Sequence, residues 1–391
     1  MSPEELVYLG ILGASILVGF LFRFLSPPVK QGAALLLGLS ITIATCNVHT
    51  LHSLVTVIGT WIIVRTNWRH APALSLAWTF LYLLFFRLVT WFNLPPPTPY
   101  ANAVQLLLTL KMVSLANEIN SFHTEKKKDV SSFSKSSVVG GLSQEPSLYD
   151  ILSYSYCYVG IMTGEYTEFI CTVYLSLHRC ITDCSPTTPN DFVFHIYICI
   201  FPDPSAEEKY DFKTIQNIDC YNTDFCVKVR HGMRYWNMTV QWWLHHYIYP
   251  NAPFKSYTLR AGWTMFISAY WHGLHAGYYL SFLTIPLCIA AESAMEASVR
   301  SKLGPRGQSV FDWIHWFLKM RAYDYMCMGF VLLKAQDTVN YWMSIYFIMH
   351  IIAVMCIIVG KLLKSGKREL KRQEQVSVTD PVEKTDEKKT E

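Results

Sequence analysis

Charged side chains are scarce over most of this 391-residue chain. Of its 62 charged residues, 16 lie in the last 31 positions, which leaves 46 in the first 360. That is about 13%, against roughly 25% in an ordinary soluble domain. Hydrophobic residues make up 51% of the chain and aromatic residues 15%. This composition excludes a disordered chain, a secreted disulfide-rich miniprotein and an ordinary soluble enzyme, and it favours an integral membrane protein.

Several motifs are also missing. The sequence contains no glycine-rich phosphate loop, no Walker motif, no nucleophile elbow and no internal repeat of fixed period. The net charge of +4 is too small, and too concentrated near the tail, for a nucleic-acid binder. The 11 cysteines show no paired spacing, and several lie inside apolar runs. Most of them are therefore interpreted as small buried hydrophobic residues.

Long apolar runs define the organisation of the chain. The first, 6–25, has acidic residues before it and basic residues after it, which is the reverse of a signal peptide. It is interpreted as a retained first span with its amino end away from the cytosol. The last, 341–363, is followed by basic residues that predict a cytosolic tail. We expect an odd number of crossings, an all-α polytopic membrane bundle over 1–363 and a charged tail over 364–391. Further apolar runs lie at 33–46, 51–64, 72–94, 101–119, 257–270, 276–291 and 310–333, and the run 72–94 is expected to be a full span.

Two segments collect polar residues that are expensive in a membrane. Arg234, Asn237, Gln241 and His245 follow steps of three, four and four, so on one helix they form a single stripe. Ser268, His272 and His275 follow steps of four and three, again one face of a helix. We predict that Arg234, Gln241, Ser268 and His275 line a polar cavity around Asn237 and His272.

The residue types in these stripes suit acyl transfer. His is the natural general base near neutral pH, and the Asn amide orients a substrate or stabilises a developing oxyanion. The plainer interpretation is that each His makes a hydrogen bond inside a helical bundle. His272 and His275 lack the neighbouring Glu and the four-residue step of the metalloprotease motif, so no metal site is expected.

A resemblance to a known family rests on specific stretches. The sequences RYWNMT at 234–239 and YWHGLH at 270–275 resemble the membrane-bound O-acyltransferase family. The stretches 1–5, 102–111, 153–164 and 320–330 are similar to the members of that family that acylate lysophosphatidylinositol. The resemblance covers roughly 1–164 and 209–360.

The resemblance implies a function. Asn237 and His272 take the family's catalytic positions. Such an enzyme lies in the endoplasmic reticulum membrane as a multi-pass protein. It moves a polyunsaturated acyl chain, typically arachidonoyl, from coenzyme A to the sn-2 hydroxyl of lysophosphatidylinositol. Acyl-coenzyme A is then a co-substrate, and no bound cofactor is expected. The last four residues resemble a dilysine retrieval signal.

One segment departs from the family. Residues 165–208 do not resemble its middle region and carry four cysteines, as a splice variant or a misassigned exon would produce. Lost helices would remove part of the wall around the substrate channel, so the chain is expected to be inactive or much weaker than one with the family's middle segment. Two alternatives therefore stay open. One is a catalytically inactive membrane scaffold of the same fold, and the other is a transporter, which the missing internal symmetry disfavours.

Overall fold

The computed structural model describes residues 3–22, 24–125, 145–158, 161 and 217–379, and every regular element among them is helical. The predictions made for 165–208 and for the dilysine at 388–389 lie outside the described residues. The α-helices are α1 (Pro3–Phe22), α2 (Pro27–Cys46), α3 (Thr50–Thr66), α4 (Ala71–Arg87), α5 (Pro99–Glu125), α6 (Leu148–Ser155), α7 (Cys220–Phe225), α8 (Val229–Tyr235), α9 (Met238–Trp243), α10 (Tyr257–His272), α11 (Ala276–Ser298), α12 (Pro305–Leu332), α13 (Ala335–Ser344) and α14 (Ile348–Thr379).

The chain forms two compact units, and it passes from one to the other within α7, within α8 and after Asn251. Unit 1 comprises Met1–Cys220 and Arg234–Asn251, and unit 2 comprises Tyr221–Met233 and Ala252–Glu391.

Unit 1 has α5 at its centre, packed against α3 and α4. Buried hydroxyls in these helices bond to the carbonyl one turn earlier, as Thr60 does to Thr56, Thr79 to Ser75 and Thr109 to Gln105. Small residues whose hydroxyls are satisfied by their own helix let apolar helices approach closely.

Two side chains anchor other segments of unit 1 on α5. Lys111 is fully buried, and its amine donates to the carbonyl of Tyr154 on α6 at 3.1 Å. Trp243, at the end of α9, is also fully buried and donates its indole N–H to the carbonyl of Leu110 at 3.2 Å. The helix that follows Asn237 is thereby fixed to the centre of its unit.

Unit 2 is built around α11, which packs on α10, α12 and α14. The crossing of α11 and α12 is very close, because Gly277 and Gly329 face each other there. A Cβ at Gly277 would overlap the carbonyl oxygen of Gly329, and a Cβ at Gly329 would overlap the hydroxyl of Ser281. The Ser281 hydroxyl donates to the carbonyl of Met326 at 2.6 Å, which adds a hydrogen bond to the crossing.

The predicted membrane character is confirmed, with changes in individual spans. Val29–Thr66 and Ala276–Lys302 are long and apolar enough to cross a bilayer, and the bent pair α13 and α14 raises this number to three among the described residues. The expected full span over 72–94 is wrong. Helix α4 ends at Arg87 after 17 residues, which rise about 25 Å against a hydrocarbon core of about 30 Å.

The last predicted span, 341–363, is interrupted. Tyr346 and Phe347 have φ angles of 55° and 51°, so two consecutive left-handed residues separate α13 from α14, and the helices meet at 71°. A left-handed residue cannot continue a right-handed helix. Helix α14 then runs to Thr379, past the boundary predicted at 363.

Candidate active site

Asn237 lies at a break in the chain rather than inside a helix. Its φ of 50° and ψ of 53° are left-handed, and it occupies the N-cap position of α9. Its carbonyl accepts the N–H of Gln241 at 2.9 Å, which begins the helix. Asn tolerates this conformation better than most residues do, so the residue type fits the local backbone.

Asn217 fixes the start of α9. Its carbonyl accepts the N–H of Met238 at 2.6 Å, and its side-chain oxygen accepts the hydroxyl of Thr239 at 2.8 Å. Nearby, the N–H of Asp219 donates to the carbonyl of Tyr235 at 3.0 Å. The stretch 217–219 therefore forms hydrogen bonds to residues on both sides of the break that carries Asn237.

The single polar stripe predicted along 234–245 is wrong. Arg234 lies on α8 and is exposed, whereas the half-buried Gln241 lies on α9. His245 is exposed and belongs to a π-helical turn, Leu244–Ile248. The left-handed Asn237 reorients the chain, and the extra residue of the π-turn shifts the register. Only Asn237 and Gln241 keep the predicted one-turn relationship.

His272 is the last residue of α10 and is half-buried. Ser268, one turn earlier on the same helix, is 4% exposed, so these two share a face as predicted. His275 does not share it, because Gly273 is fully extended and ends the helix. His275 instead occupies the N-cap position of α11 and is exposed. The role of Arg234, Gln241, Ser268 and His275 as cavity-lining residues stays a prediction.

Aromatic rings surround the His272 imidazole. Phe282 stacks on it with ring centroids 5.1 Å apart, and Phe330 meets it edge-on at 5.6 Å. Trp271 and Tyr278 lie at 4.8 and 6.0 Å. Phe282 is on α11 and Phe330 is on α12, so the close crossing of these helices at Gly277 and Gly329 also sets the positions of the two phenyl rings. The arrangement restricts the orientation of the imidazole and keeps water from two of its sides.

Unit 2 contains further polar groups that the sequence analysis did not single out. His350 Nδ1 lies 2.7 Å from the Tyr325 hydroxyl, and Trp342 donates its indole N–H to the carbonyl of Tyr325 at 3.0 Å. Because these residues belong to α14, α12 and α13, the network joins both sides of the α13–α14 break. Because the hydrogen-bonded pairs lie 25 and 17 positions apart in the sequence, no local sequence pattern predicts this network.

Two buried charges hold the segment that precedes Arg234. Lys319 is 1% exposed and donates to the carbonyls of Thr223 and Asp224 at 2.9 and 2.8 Å, at the carboxyl end of α7. Glu292 is 6% exposed and accepts the backbone N–H groups of Val229 and Arg230, at the amino end of α8. A cation at a helix carboxyl end and an anion at an amino end are both favourable with the helix dipole.

Histidine, cysteine and carboxylate side chains are dispersed over the described part of the chain. No group of three or more His, Cys, Asp or Glu side chains comes together there as a candidate metal site.

Comparison with known proteins identifies the family. The sequence profile of the membrane-bound O-acyltransferase family matches residues 191–333, a range that includes Asn237 and His272. The chain is 62% identical to the membrane-bound acylglycerophosphatidylinositol O-acyltransferase of Danio rerio, over 95% of this chain and 97% of that protein. The proteins of the same name in Homo sapiens and Mus musculus are each 46% identical, over 94% of this chain and 95% of theirs. The chain belongs to the membrane-bound O-acyltransferase family.

Membership confirms the predicted fold class and assigns the chain to a class of membrane-embedded O-acyltransferases. The comparison also bears on chain length. The alignments with the Danio rerio and human proteins run over 452 positions, whereas this chain has 391 residues. At least 61 aligned positions therefore have no residue here. The family match begins at 191, inside the segment 165–208 that the sequence analysis sets apart.

Proposed function

We propose that this membrane-bound O-acyltransferase transfers an acyl chain to the free sn-2 hydroxyl of lysophosphatidylinositol. The donor is an acyl-coenzyme A, and the preferred chain is polyunsaturated, typically arachidonoyl. The reaction remodels the acyl chains of phosphatidylinositol in the endoplasmic reticulum membrane. Acyl-coenzyme A is consumed as a co-substrate, so the proposed reaction needs no tightly bound cofactor.

One observation carries the proposal. Relatives named acylglycerophosphatidylinositol O-acyltransferases share 46 to 62% of their residues with this chain over nearly its full length. Identity at this level extends well beyond the residues of an active site. It supports a common acceptor as well as a common fold.

His272 is the proposed general base. Its imidazole accepts the proton of the acceptor hydroxyl while the oxygen attacks the thioester carbonyl. When the tetrahedral intermediate collapses, the carbon–sulfur bond breaks and the coenzyme A sulfur leaves with that proton. The stacked ring of Phe282 and the edge of Phe330 support this role, because a base whose orientation is restricted needs less reorganisation.

Asn237 is proposed to orient a reactant or to donate its amide N–H to the oxyanion that forms on the thioester carbonyl. An amide suits this task because it is a neutral donor and carries no charge that competes with the developing negative charge. Its place at the amino end of α9, held there by Asn217, supports the role by fixing the backbone. No covalent acyl-enzyme is required.

A second candidate function is a membrane scaffold of the same fold without turnover. The observation that favours it is the alignment, in which at least 61 positions have no residue in this chain. A two-substrate enzyme relies on walls that position both substrates. If the absent positions formed such a wall, binding to the membrane and to partners would persist while acyl transfer would not.

The test expresses the chain in membranes that lack the endogenous activity. Labelled arachidonoyl-coenzyme A is supplied with lysophosphatidylinositol or with the corresponding lysophosphatidylcholine, and the labelled product is digested to find the acylated position. We expect label at sn-2 and a clear preference for the inositol head group. Equal labelling of both acceptors would contradict the proposed acceptor, and no labelling of either would favour the scaffold.

A further inference from the structure

A cavity in unit 2 lies apart from His272. It has a volume of about 150 Å³ and is lined by residues of α11, α12 and α14 and by Val229 of α8. Its wall is mostly apolar, and it is lined by Cys288, Ala291, Met295, Leu318, Met349 and Ala353, among others. A cavity of this size with an apolar wall is able to hold a small organic group.

The cavity also has a polar end. Glu292, His315 and Lys319 contribute to its lining. The Glu292 side chain is 3% exposed, and its two carboxylate oxygens differ. One accepts the N–H groups of Val229 and Arg230. The other, Oε2, is buried without a hydrogen-bond partner, because its nearest basic neighbour, His315 Nε2, is 3.8 Å away. A buried carboxylate oxygen without a donor is costly, so this atom requires an account.

The charges around Glu292 determine which donor suits it. The buried ammonium of Lys319 lies at this end of the cavity and donates hydrogen bonds to the carbonyls of Thr223 and Asp224 on α7. Nearby, Lys228 pairs with Glu296 and Arg300 pairs with Asp312. An anionic head group would be repelled by the Glu292 carboxylate, and a cationic head group would be repelled by the Lys319 ammonium. A neutral group that donates one hydrogen bond, such as a hydroxyl, suits the site better than either.

The open side of the cavity is apolar. Ile314, which lines it, is 57% exposed, and its neighbours on α12, Val310 and Phe317, are 60 and 55% exposed. On α14, Ile351 and Met355 are each 53% exposed. Because the α13–α14 pair is a candidate span, we expect the exposed apolar side chains of α14 to contact lipid, and the exposed Ile314 of α12 lines the cavity beside this helix. A single hydrocarbon chain passing between them would stay in an apolar environment.

We propose that this cavity binds a neutral single-chain lipid with a hydroxyl head. The hydroxyl donates to Glu292 Oε2 at the buried end, and the tail passes between α12 and α14 into the bilayer. The site is separate from the His272 ring cluster. Phe282 and Glu292 lie ten residues apart on the same helix, which corresponds to about 15 Å of rise. The proposal does not rest on the acyl-transfer activity.

Two probes applied to the full chain in lipid nanodiscs test the proposal. One is hexadecan-1-ol with a diazirine in its chain, and the other is its methyl ether, which has lost the donor hydrogen. Photolabelled peptides are identified by mass spectrometry. We expect the alcohol to label the cavity wall around Leu318, Met349 or Cys356. The ether should label it at least about 10-fold less, since the bond to a charged acceptor is lost.

Equal labelling by both probes would overturn the role of Glu292, and labelling confined to other segments would overturn the site. Palmitic acid and hexadecylamine serve as competitors. Either one displacing the alcohol probe better than unlabelled hexadecanol would overturn the argument from charge. These outcomes need no variant, so they hold even where a substitution fails to fold.

Matched variants locate the site independently. Ala353 lines the cavity and is 5% exposed, whereas the next residue, Val354, is 44% exposed. Ala353→Leu should fill the space and abolish labelling by the alcohol, and Val354→Leu should leave it unchanged. Glu292→Gln keeps a carbonyl for the α8 N–H groups and turns an amide donor into the cavity. In this variant the preference for the alcohol over the ether should disappear, and its persistence would contradict the proposal.

Discussion

The ring of Phe282 stacks on the imidazole of His272, with centroids 5.1 Å apart and an interplanar angle of 29°. The two residues come from different helices, α11 and α10, so this contact ties the candidate base to the central helix of unit 2. Phe330, on α12, closes a second side. The position of the imidazole therefore depends on how three helices cross. The role of the imidazole in the reaction and the packing of these helices can be tested by separate substitutions.

Replacing His272 tests the proposed base. His272→Ala should lower acyl transfer by about 10²- to 10⁴-fold, the usual contribution of a general base. Membrane insertion should not change, because His272 is the last residue of α10 and is not part of the apolar run that precedes it. His70→Ala is the control, since this exposed histidine lies outside both predicted polar stripes. Initial rates at equal protein level decide the matter, and wild-type turnover in His272→Ala would remove the residue from the mechanism.

Replacing Asn237 separates its side chain from its backbone. Asn237→Ala should reduce turnover by roughly 10²-fold or more if the amide donates to the oxyanion. Asn237→Asp should do no better, because it places negative charge where negative charge develops. Asn237→Gly retains the left-handed backbone without an amide.

The glycine variant is the informative control. We expect it to express normally and to be as slow as Asn237→Ala. Full activity in Asn237→Gly would show that only the φ of 50° matters, and full activity in Asn237→Asp would contradict the electrostatic role.

The crossing of α11 and α12 should tolerate no added methyl group. Gly329→Ala places a Cβ against the hydroxyl of Ser281 and the backbone of Gly277. Overpacking of this kind costs about 1–3 kcal/mol, so the midpoint of thermal unfolding in detergent should fall. Gly262→Ala, on α10, is the control, because nothing lies within 4 Å of its added Cβ. That variant should be neutral or stabilised by up to about 1 kcal/mol, and an equal loss in both would refute the close crossing.

Lys319 should contribute to stability through α7. Lys319→Met keeps the length of the side chain but removes the ammonium donor from the carbonyls of Thr223 and Asp224, of which Asp224 keeps the indole N–H of Trp316. A loss of about 1–3 kcal/mol follows, because the buried carbonyl of Thr223 loses its ammonium donor. Lys302→Met, at an exposed site, should change stability by less than about 0.5 kcal/mol. Thermal unfolding of both variants measures the difference. An unchanged unfolding midpoint in Lys319→Met would contradict the stabilising role of its hydrogen bonds to α7.

The segment 165–208 is the subject of a separate prediction. Replacing it with the corresponding segment of the Danio rerio relative should raise the rate of acyl transfer well above that of the chain as it stands. The reason is that positioning supplies a large part of the rate in two-substrate reactions, about 7–11 kcal/mol in well-oriented cases. Both chains are expressed in the same membranes and compared at equal protein level. Equal rates would show that the positions without a residue here are dispensable.

The helical membrane class follows from composition and long apolar runs, and the structure and the comparisons confirm it. The stripes failed for a local reason. Step counting assumes continuous α-helix, but Asn237 is left-handed and Gly273 is extended, and both residue types permit such breaks. Of the residues predicted to share a helix face with Asn237, only Gln241 lies one helical turn from it in the structure.

The remaining features of unit 2 depend on partners far apart in sequence. Lys319 lies 96 residues from Thr223, and His350 lies 25 residues from Tyr325. No periodicity pairs such residues. A charged residue within or beside an apolar run is the one available signal, and it marks Glu292 and Lys319 as sites that need partners without identifying them.

The most direct test of the central claim compares the purified chain with its His272→Ala variant in lipid nanodiscs. Both receive labelled arachidonoyl-coenzyme A and lysophosphatidylinositol, and the initial rate of phosphatidylinositol formation is measured. The account predicts measurable formation by the chain as it stands and a rate at least about 10²-fold lower for the variant. Product formation that is indistinguishable between the two, at any level, would contradict it.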